Sequence, residues 1–171
     1  MKLPICAFCA NSSALCAVDE PRLEAGEIDQ ADIIISRAIA RIGRRSRALQ
    51  ESEIVRGFDL GDRLVIITRE EDVGRIIGKK GTRVKRLTDT LGKRVVVVGQ
   101  RDDVRGIVDR IIYPGRLRAI SNVYTDTGSK RLVEVNRAGE IDLDRFVAML
   151  AFLFGGEFEV RVLDKKKRDD E

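Results

Sequence analysis

The sequence predicts an α+β fold, with helices packed on small mixed sheets in two successive units. Three observations carry this. Short apolar and β-branched runs, Leu64–Ile67 and Val95–Val98, read as buried strands. They alternate with helical stripes such as Ile35, Ala38, Ile39 and Ile42. The order strand, strand, helix, strand then occurs a second time after residue 115. A chain of 171 residues with 43% hydrophobic content suits one medium domain or two small ones, and no apolar run approaches membrane-spanning length.

Composition narrows the chemistry. The formal net charge is +4, mildly basic overall, so a polyanionic partner is indicated by local clustering rather than by the total. There is no His, which removes His-based triads, His metal ligands and the commonest general base. No Ser, Cys or carboxylate pair sits in a recognisable catalytic motif, so the chain reads as a non-enzyme without a small-molecule substrate. Trp is absent and aromatic residues make up 5%, which argues against extensive base stacking.

Residues 1–25 form a Cys-containing ribbon and linker. Cys6-x-x-Cys9 is half of a zinc knuckle, Cys16 follows, and the fourth position falls on Asp19, with Glu20 beside it. Three readings stand: a ribbon holding zinc, a ribbon that has lost its metal, and a disulfide between two of the cysteines. Lys2 before Leu3, Ile5 and Phe8 mimics a signal peptide, but Pro4 and Asn11-Ser12-Ser13 interrupt the apolar stretch. The cytoplasm is therefore the expected location, without a membrane partner.

From Asp29, an N-cap, a helix is expected to continue to about Ser52, with Gly43 a weak point and Arg37, Arg41, Arg44 and Arg45 off its apolar face. Those arginines read as a solvated helix surface rather than a second nucleic-acid contact. Ile54–Phe58 and Arg63–Thr68 are expected strands around a turn at Asp59-Leu60-Gly61-Asp62. Val73, Ile76 and Ile77 have the spacing of a short helical face, and Val84, Leu87 and Leu91 that of a second helix ended by Gly92. Lys93–Val98 is a strand buried on both faces. Asp102 is the expected cap of a helix bearing Val104, Ile107, Val108, Ile111 and Ile112, stopped by Pro114 and Gly115. In the second unit, Arg118–Thr125 and Lys130–Arg137 flank a hairpin turn, Asp126-Thr127-Gly128-Ser129. Asp142 caps a helix carrying Leu143, Phe146, Val147, Leu150 and Phe154, and Phe158, Val160 and Val162 alternate as a last strand. Residues 165–171 are a charged tail. The expected divisions are 1–25, 26–114, 115–164 and 165–171.

Between the two short helices lies Gly78-Lys79-Lys80-Gly81. Glycines allow a tight turn and close approach of another chain. The helix after Gly81 points its free amides and positive dipole end at whatever sits over the loop, and two lysines add full charges. From Gly74 to Arg94 the basic residues are Arg75, Lys79, Lys80, Arg83, Lys85, Arg86, Lys93 and Arg94, against one acid, Asp89. The spacing is not that of a Walker loop, and no Ser or Thr follows the lysine.

Ile77-Gly78-Lys79-Lys80-Gly81 between two short helices resembles the GXXG loop of a KH domain, a module that clamps four nucleotides of single-stranded RNA or DNA. The element order, with two strands ahead of the loop, resembles the type II arrangement, and the whole resembles the short NusA-like proteins of archaea, in a zinc-ribbon variant. The resemblance implies a type II KH domain followed by a truncated KH-like unit that lacks one helix and the basic loop. It carries Gly78, Lys79, Lys80 and Gly81 over as the nucleotide clamp. With Arg75, Ile77, Arg83 and Arg86 they make the candidate RNA-binding set, over an apolar floor of Ile76, Ile77 and Val84. Cys6, Cys9, Cys16 and Asp19 make the candidate metal set, with zinc as the cofactor. The implied role is clamping of RNA in transcription elongation or termination. The alternatives are a ribosome- or rRNA-associated KH factor and a protein–protein adaptor docking on RNA polymerase.

Overall fold

The computed structural model describes residues 1–125, 128–136 and 139–163. The chain forms two compact units, Met1–Asp102 and the part from Asp103 onward.

The first unit contains α1 (Ala7–Asn11), α2 (Asp19–Glu24), α3 (Gln30–Gly43), α4 (Arg47–Gln50), β1 (Ile54–Asp59), β2 (Arg63–Thr68), α5 (Val73–Ile77), α6 (Thr82–Leu91) and β3 (Arg94–Gly99). Asp29 caps α3: its carboxylate accepts the Ala31 and Asp32 amides, and the Asp32 carboxylate accepts the Asp29 amide in return. The expected single helix to Ser52 is divided. α3 stops at Gly43, a poor helix former, and Ser46 opens the separate turn of α4.

The sheet has the order β1-β2-β3, with β1 antiparallel and β3 parallel to β2, and a register shift between Ile54 and Arg56. Leu64 and Ile66 of β2 and Val95 and Val97 of β3 share a core with Ile35 and Ile39 of α3, Ile76 of α5 and Leu87 of α6. Val65, Ile67, Val96 and Val98, on the other face, are also buried, which explains the near-continuous apolar runs. β1 passes so close to α3 that a Cβ at Gly57 would lie 2.6 Å from the Ile35 side chain. The Gly57 amide donates to Asp32 there.

The Cys-containing segment, expected as a ribbon, is helical. α1 and α2 flank the loop bearing Cys16, and Ile5, Cys9, Ala10 and Ile28 pack with Ile33 and Ala40 of α3. The reason is local: Cys6 acts as the N-cap of α1, its sulfur accepting the Cys9 amide, and Ala7–Asn11 has no β-branched residue to favour a strand. α3 is thus apolar on two sides, one toward the sheet and one toward this segment. Residues 1–25 lie within the same compact unit as the sheet.

The second unit contains α7 (Val104–Ile112), β4 (Leu117–Thr125), β5 (Gly128–Val135), α8 (Leu143–Phe154) and β6 (Glu157–Val162). Its sheet order is β4-β5-β6, with β4 antiparallel and β6 parallel to β5. That repeats the first sheet, including a register shift near the start of the first strand, between Leu117 and Ala119. Among the described residues, one helix, α8, stands between β5 and β6, and its buried Phe146, Met149 and Leu150 supply much of the apolar interior. α7 groups with this unit, its Asp109 accepting the Leu117 amide, whereas the sequence reading closed the first unit at residue 114. The cap of α7 is Asp103, not Asp102: the Asp103 carboxylate accepts the Gly106 amide, while Asp102 accepts the Gly99 amide and closes the turn after β3. Asp126 and Thr127 of the expected hairpin turn, Arg137 at the expected end of its second strand, and the charged tail lie outside the described residues. Among the described residues, no helix is long and apolar enough to cross a membrane.

Candidate nucleic-acid interface and metal centre

The loop between α5 and α6 is built from backbone outward. The Gly78 amide donates to the Gly74 carbonyl and ends α5. Gly78 has φ 76° and ψ 166°, and a Cβ there would meet the Arg83 side chain at 2.7 Å and its backbone nitrogen at 3.1 Å. Lys80, at φ 53° and ψ 28°, and Gly81, at φ 74°, follow as two left-handed residues that swing the chain into α6. A lysine in that region is strained, a feature that accumulates at binding sites. The Thr82 amide turns back onto the Lys79 carbonyl, and α6 opens without a side-chain cap, so no side chain of its N-cap competes with a ligand for the amides that follow.

The eight expected RNA-binding residues divide by environment. Lys79, Lys80 and Arg86 are exposed, and among the described residues their side chains have no ion-pair partner. Arg75 is half-buried and pairs with Asp72 at 2.7 Å. Arg83 donates to the Arg75 carbonyl at 2.7 Å, and its stem lies over Gly78. Both arginines hold the loop in shape. Ile77 and Val84 are half-buried at the edge of the core. Ile76 is 0% exposed, so it belongs beneath the expected apolar floor rather than on it.

Asp72 was not singled out by the sequence. It is 0% exposed and accepts from the Glu53 amide, from two nitrogens of Arg69 and from Arg75. Burial pushes its carboxyl up, but the Glu53 amide and the two guanidinium groups outweigh that and hold it below the usual carboxylate range. It ties the start of α5 to the sheet. The Arg69-x-x-Asp72-x-x-Arg75 spacing was the available signal; the Glu53 amide, 19 residues away, had none.

The four expected metal ligands come together. One ligand atom each from Cys6, Cys9, Cys16 and Asp19 lie within 4.8 Å of one another. The Cys6 and Cys16 sulfurs are 3.7 Å apart, close to the ~3.8 Å edge of a tetrahedron with zinc–sulfur bonds of ~2.3 Å. The cysteines are free, not disulfide-bonded. Backbone amides already point at sulfur, Cys9 to Cys6 and Cys16 to Cys9. Asp19 is oriented by the Cys6 amide and by Arg22, each at 2.8 Å, an outer shell of the kind that fixes ligands. Burial pushes the Cys9 thiol up to about 12, while the Asp19 and Val18 amides draw the Cys16 thiol down. Burial raises the Asp19 carboxyl, but the Cys6 amide, the Cys9 and Cys6 thiols and Arg22 bring it below its ordinary value. The donor set fits a soft or borderline divalent cation. The residue after Asp19, Glu20, is exposed and outside the cluster.

Residues 46–113 match the KH domain family. That stretch of the chain is KH-like. The match runs to residue 113 and so includes α7, whereas the first compact unit closes at Asp102. A protein of the archaeon Methanococcus vannielii, titled "Probable transcription termination protein NusA", is 30% identical over 59 residues, 34% of this chain and 34% of that protein. The chain thus spans about a third of the length of the curated relative it matches. The solved structure titled "Crystal structure of APE1850" has 23% sequence identity and a TM-score of 0.46, covering 73% of this chain and 96% of that one.

Proposed function

We propose that the KH domain clamps single-stranded RNA at Gly78–Gly81. The observation that carries this is the left-handed Lys80-Gly81 turn, which presents two exposed lysines, without an ion-pair partner among the described residues, beside a start of α6 that has no side-chain cap. Amides and lysines grip the phosphates, and Ile77 and Val84 offer apolar edges to unstacked bases. The similarity to the Methanococcus protein supports a place in transcription elongation or termination. Zinc at Cys6, Cys9, Cys16 and Asp19 has a structural role in this reading, holding α1, α2 and the Cys16 loop against α3.

The test is the double substitution Lys79→Asp, Lys80→Asp. Neither side chain has a core contact, so stability moves by about 0.5 kcal/mol or less. Single-stranded RNA binding is lost, and the wild-type log–log salt slope of about −2 to −4 becomes shallower. Duplex and single-stranded DNA competitors rank the substrates. A folded double mutant that binds RNA like wild type overturns the clamp. Crosslinking in cells, with sequencing of bound RNA, separates nascent transcripts from rRNA.

A second reading, docking of the second unit on a protein such as RNA polymerase, draws on apolar residues at that unit's surface: Tyr124 is 80% exposed and Phe152 48%. Pull-down of RNA polymerase that survives nuclease and is lost in Phe152→Asp supports it; loss on nuclease treatment removes it.

A further inference from the structure

α3 carries arginines at positions 37, 41 and 44, spacings of four and three that place them along one stripe. They line a concave pocket of about 350 Å³ closed on the other side by Asn11, Ser12 and Ser13. Six other arginines of this unit face acids: Arg22 with Asp19, Arg47 with Glu51, Arg56 with Asp32, Arg63 with Asp62, and Arg69 and Arg75 with Asp72. Among the described residues, Arg37, Arg41 and Arg44 have no carboxylate partner. Three like charges line one solvent-open hollow, a local positive field that favours entry of an anion.

The pocket is also held in shape. Arg37 donates to the Cys9 carbonyl at 3.1 Å and to the Ser13 carbonyl at 3.0 Å. Arg44 donates to the Asn11 side-chain oxygen at 3.0 Å. Arg41 is exposed, and among the described residues its side chain has no hydrogen-bond partner, so its guanidinium fork is free for two oxygens of a phosphate. The volume is roughly ten times the ~30 Å³ that one water occupies in the liquid, room for a sugar and phosphate rather than a lone oxyanion. The lining has no aromatic ring for a base to stack on, so contact here is independent of base identity.

We propose that the Arg37–Arg41–Arg44 pocket is a second phosphate-binding site, taking a backbone phosphate of the RNA strand whose other nucleotides occupy the Gly78–Gly81 loop. The inference rests on the reading that the chain binds single-stranded RNA. The pocket extends the footprint beyond the clamp and adds affinity without sequence preference. Because Asn11–Ser13 lies between Cys9 and Cys16, the wall of the pocket is part of the metal-binding segment.

The test uses the full chain with Arg41→Glu, Arg44→Glu, and the milder Arg41→Gln, Arg44→Gln; Arg37 is left in place because it braces the Cys loop. Binding is measured for RNA strands of about four and about sixteen nucleotides across a salt series. In the expected result both variants melt like wild type and bind the short strand unchanged. The glutamate variant loses about tenfold or more on the long strand, and its salt slope falls by about 0.7 to 1.4, one or two phosphates. Unchanged long-strand affinity and slope overturn the proposal, and so does equal loss on both strands, which marks a general change of field. Inorganic phosphate shifting the Arg41 side-chain NMR signals, with no long-strand effect of the variants, assigns the pocket to a free anion and also overturns it. The Lys79→Asp, Lys80→Asp protein run in parallel separates the two ideas: long-strand binding that survives there but falls in the arginine variants refutes the clamp and supports the pocket. A wild type that binds neither strand refutes both.

Discussion

Replacing Asp72 with Asn keeps the shape of the side chain and removes its charge. In the wild type one carboxylate oxygen accepts from the Glu53 amide and Arg69, and the other from Arg75. Either orientation of the Asn amide therefore turns an NH2 group toward a donor. The orientation that keeps the Asn oxygen on the Glu53 amide turns its buried NH2 toward Arg75, and a buried donor left without an acceptor costs about 1–3 kcal/mol. The Arg69 and Arg75 side chains are 39% and 40% exposed, so they rehydrate, and each lost pair adds only about 0.2–1 kcal/mol. The expected destabilisation at neutral pH is about 2–4 kcal/mol. The folded carboxyl lies below its unfolded value, so its contribution is complete above the unfolded value of about 3.9 and is lost as pH falls through the folded one. Urea unfolding of both proteins over a pH series reads this directly. The two should differ by the full amount at neutral pH and converge in acid, where protonated Asp72 resembles Asn. A neutral-pH difference under about 0.5 kcal/mol, or one that does not shrink in acid, refutes the assignment of Asp72 as the anchor behind the loop.

Two neighbouring glycines should respond in opposite ways. Gly78→Ala forces a Cβ against Arg83 at positive φ and should cost about 1–3 kcal/mol and weaken RNA binding; Gly74→Ala meets nothing within 4 Å and should be neutral or stabilise α5 by up to about 1 kcal/mol. Equal melting temperatures for the pair would falsify the strained-loop account. For the metal, mass spectrometry of protein made in zinc-replete medium should find about one zinc per chain, with Asp19→Cys binding it more tightly under competition from a chelator; occupancy below about a tenth removes the site. Phe146→Ala should destabilise the second unit by about 3–5 kcal/mol and leave short-strand RNA affinity alone; a parallel loss of affinity would place part of the clamp in that unit.

What the sequence determined by itself was local. β-branched runs, helical stripes, Asp29 and Asp142 caps and the glycine-bounded loop each depend on neighbours within a few residues, and the strands at Arg63–Thr68 and near Val95–Val98 follow from them. The Cys6-x-x-Cys9, Cys16 and Asp19 spacing likewise brought four donors to one point, because the connecting turns are short. Tertiary structure decided the rest. Whether the Cys segment formed a ribbon or helices, and that it packs on a second apolar side of α3, depended on Ile33 and Ala40 meeting Ile5 and Cys9, contacts that span more than twenty residues. That Arg75 and Arg83 brace the loop while Lys79 and Lys80 stay free depended on a buried carboxylate at Asp72 and a carbonyl at Arg75. Charge in a sequence is a count. Whether an arginine is paired, as at Arg75, or lines a hollow with no carboxylate partner among the described residues, as at Arg41, is fixed only when the fold brings carboxylates to some guanidinium groups and not to others.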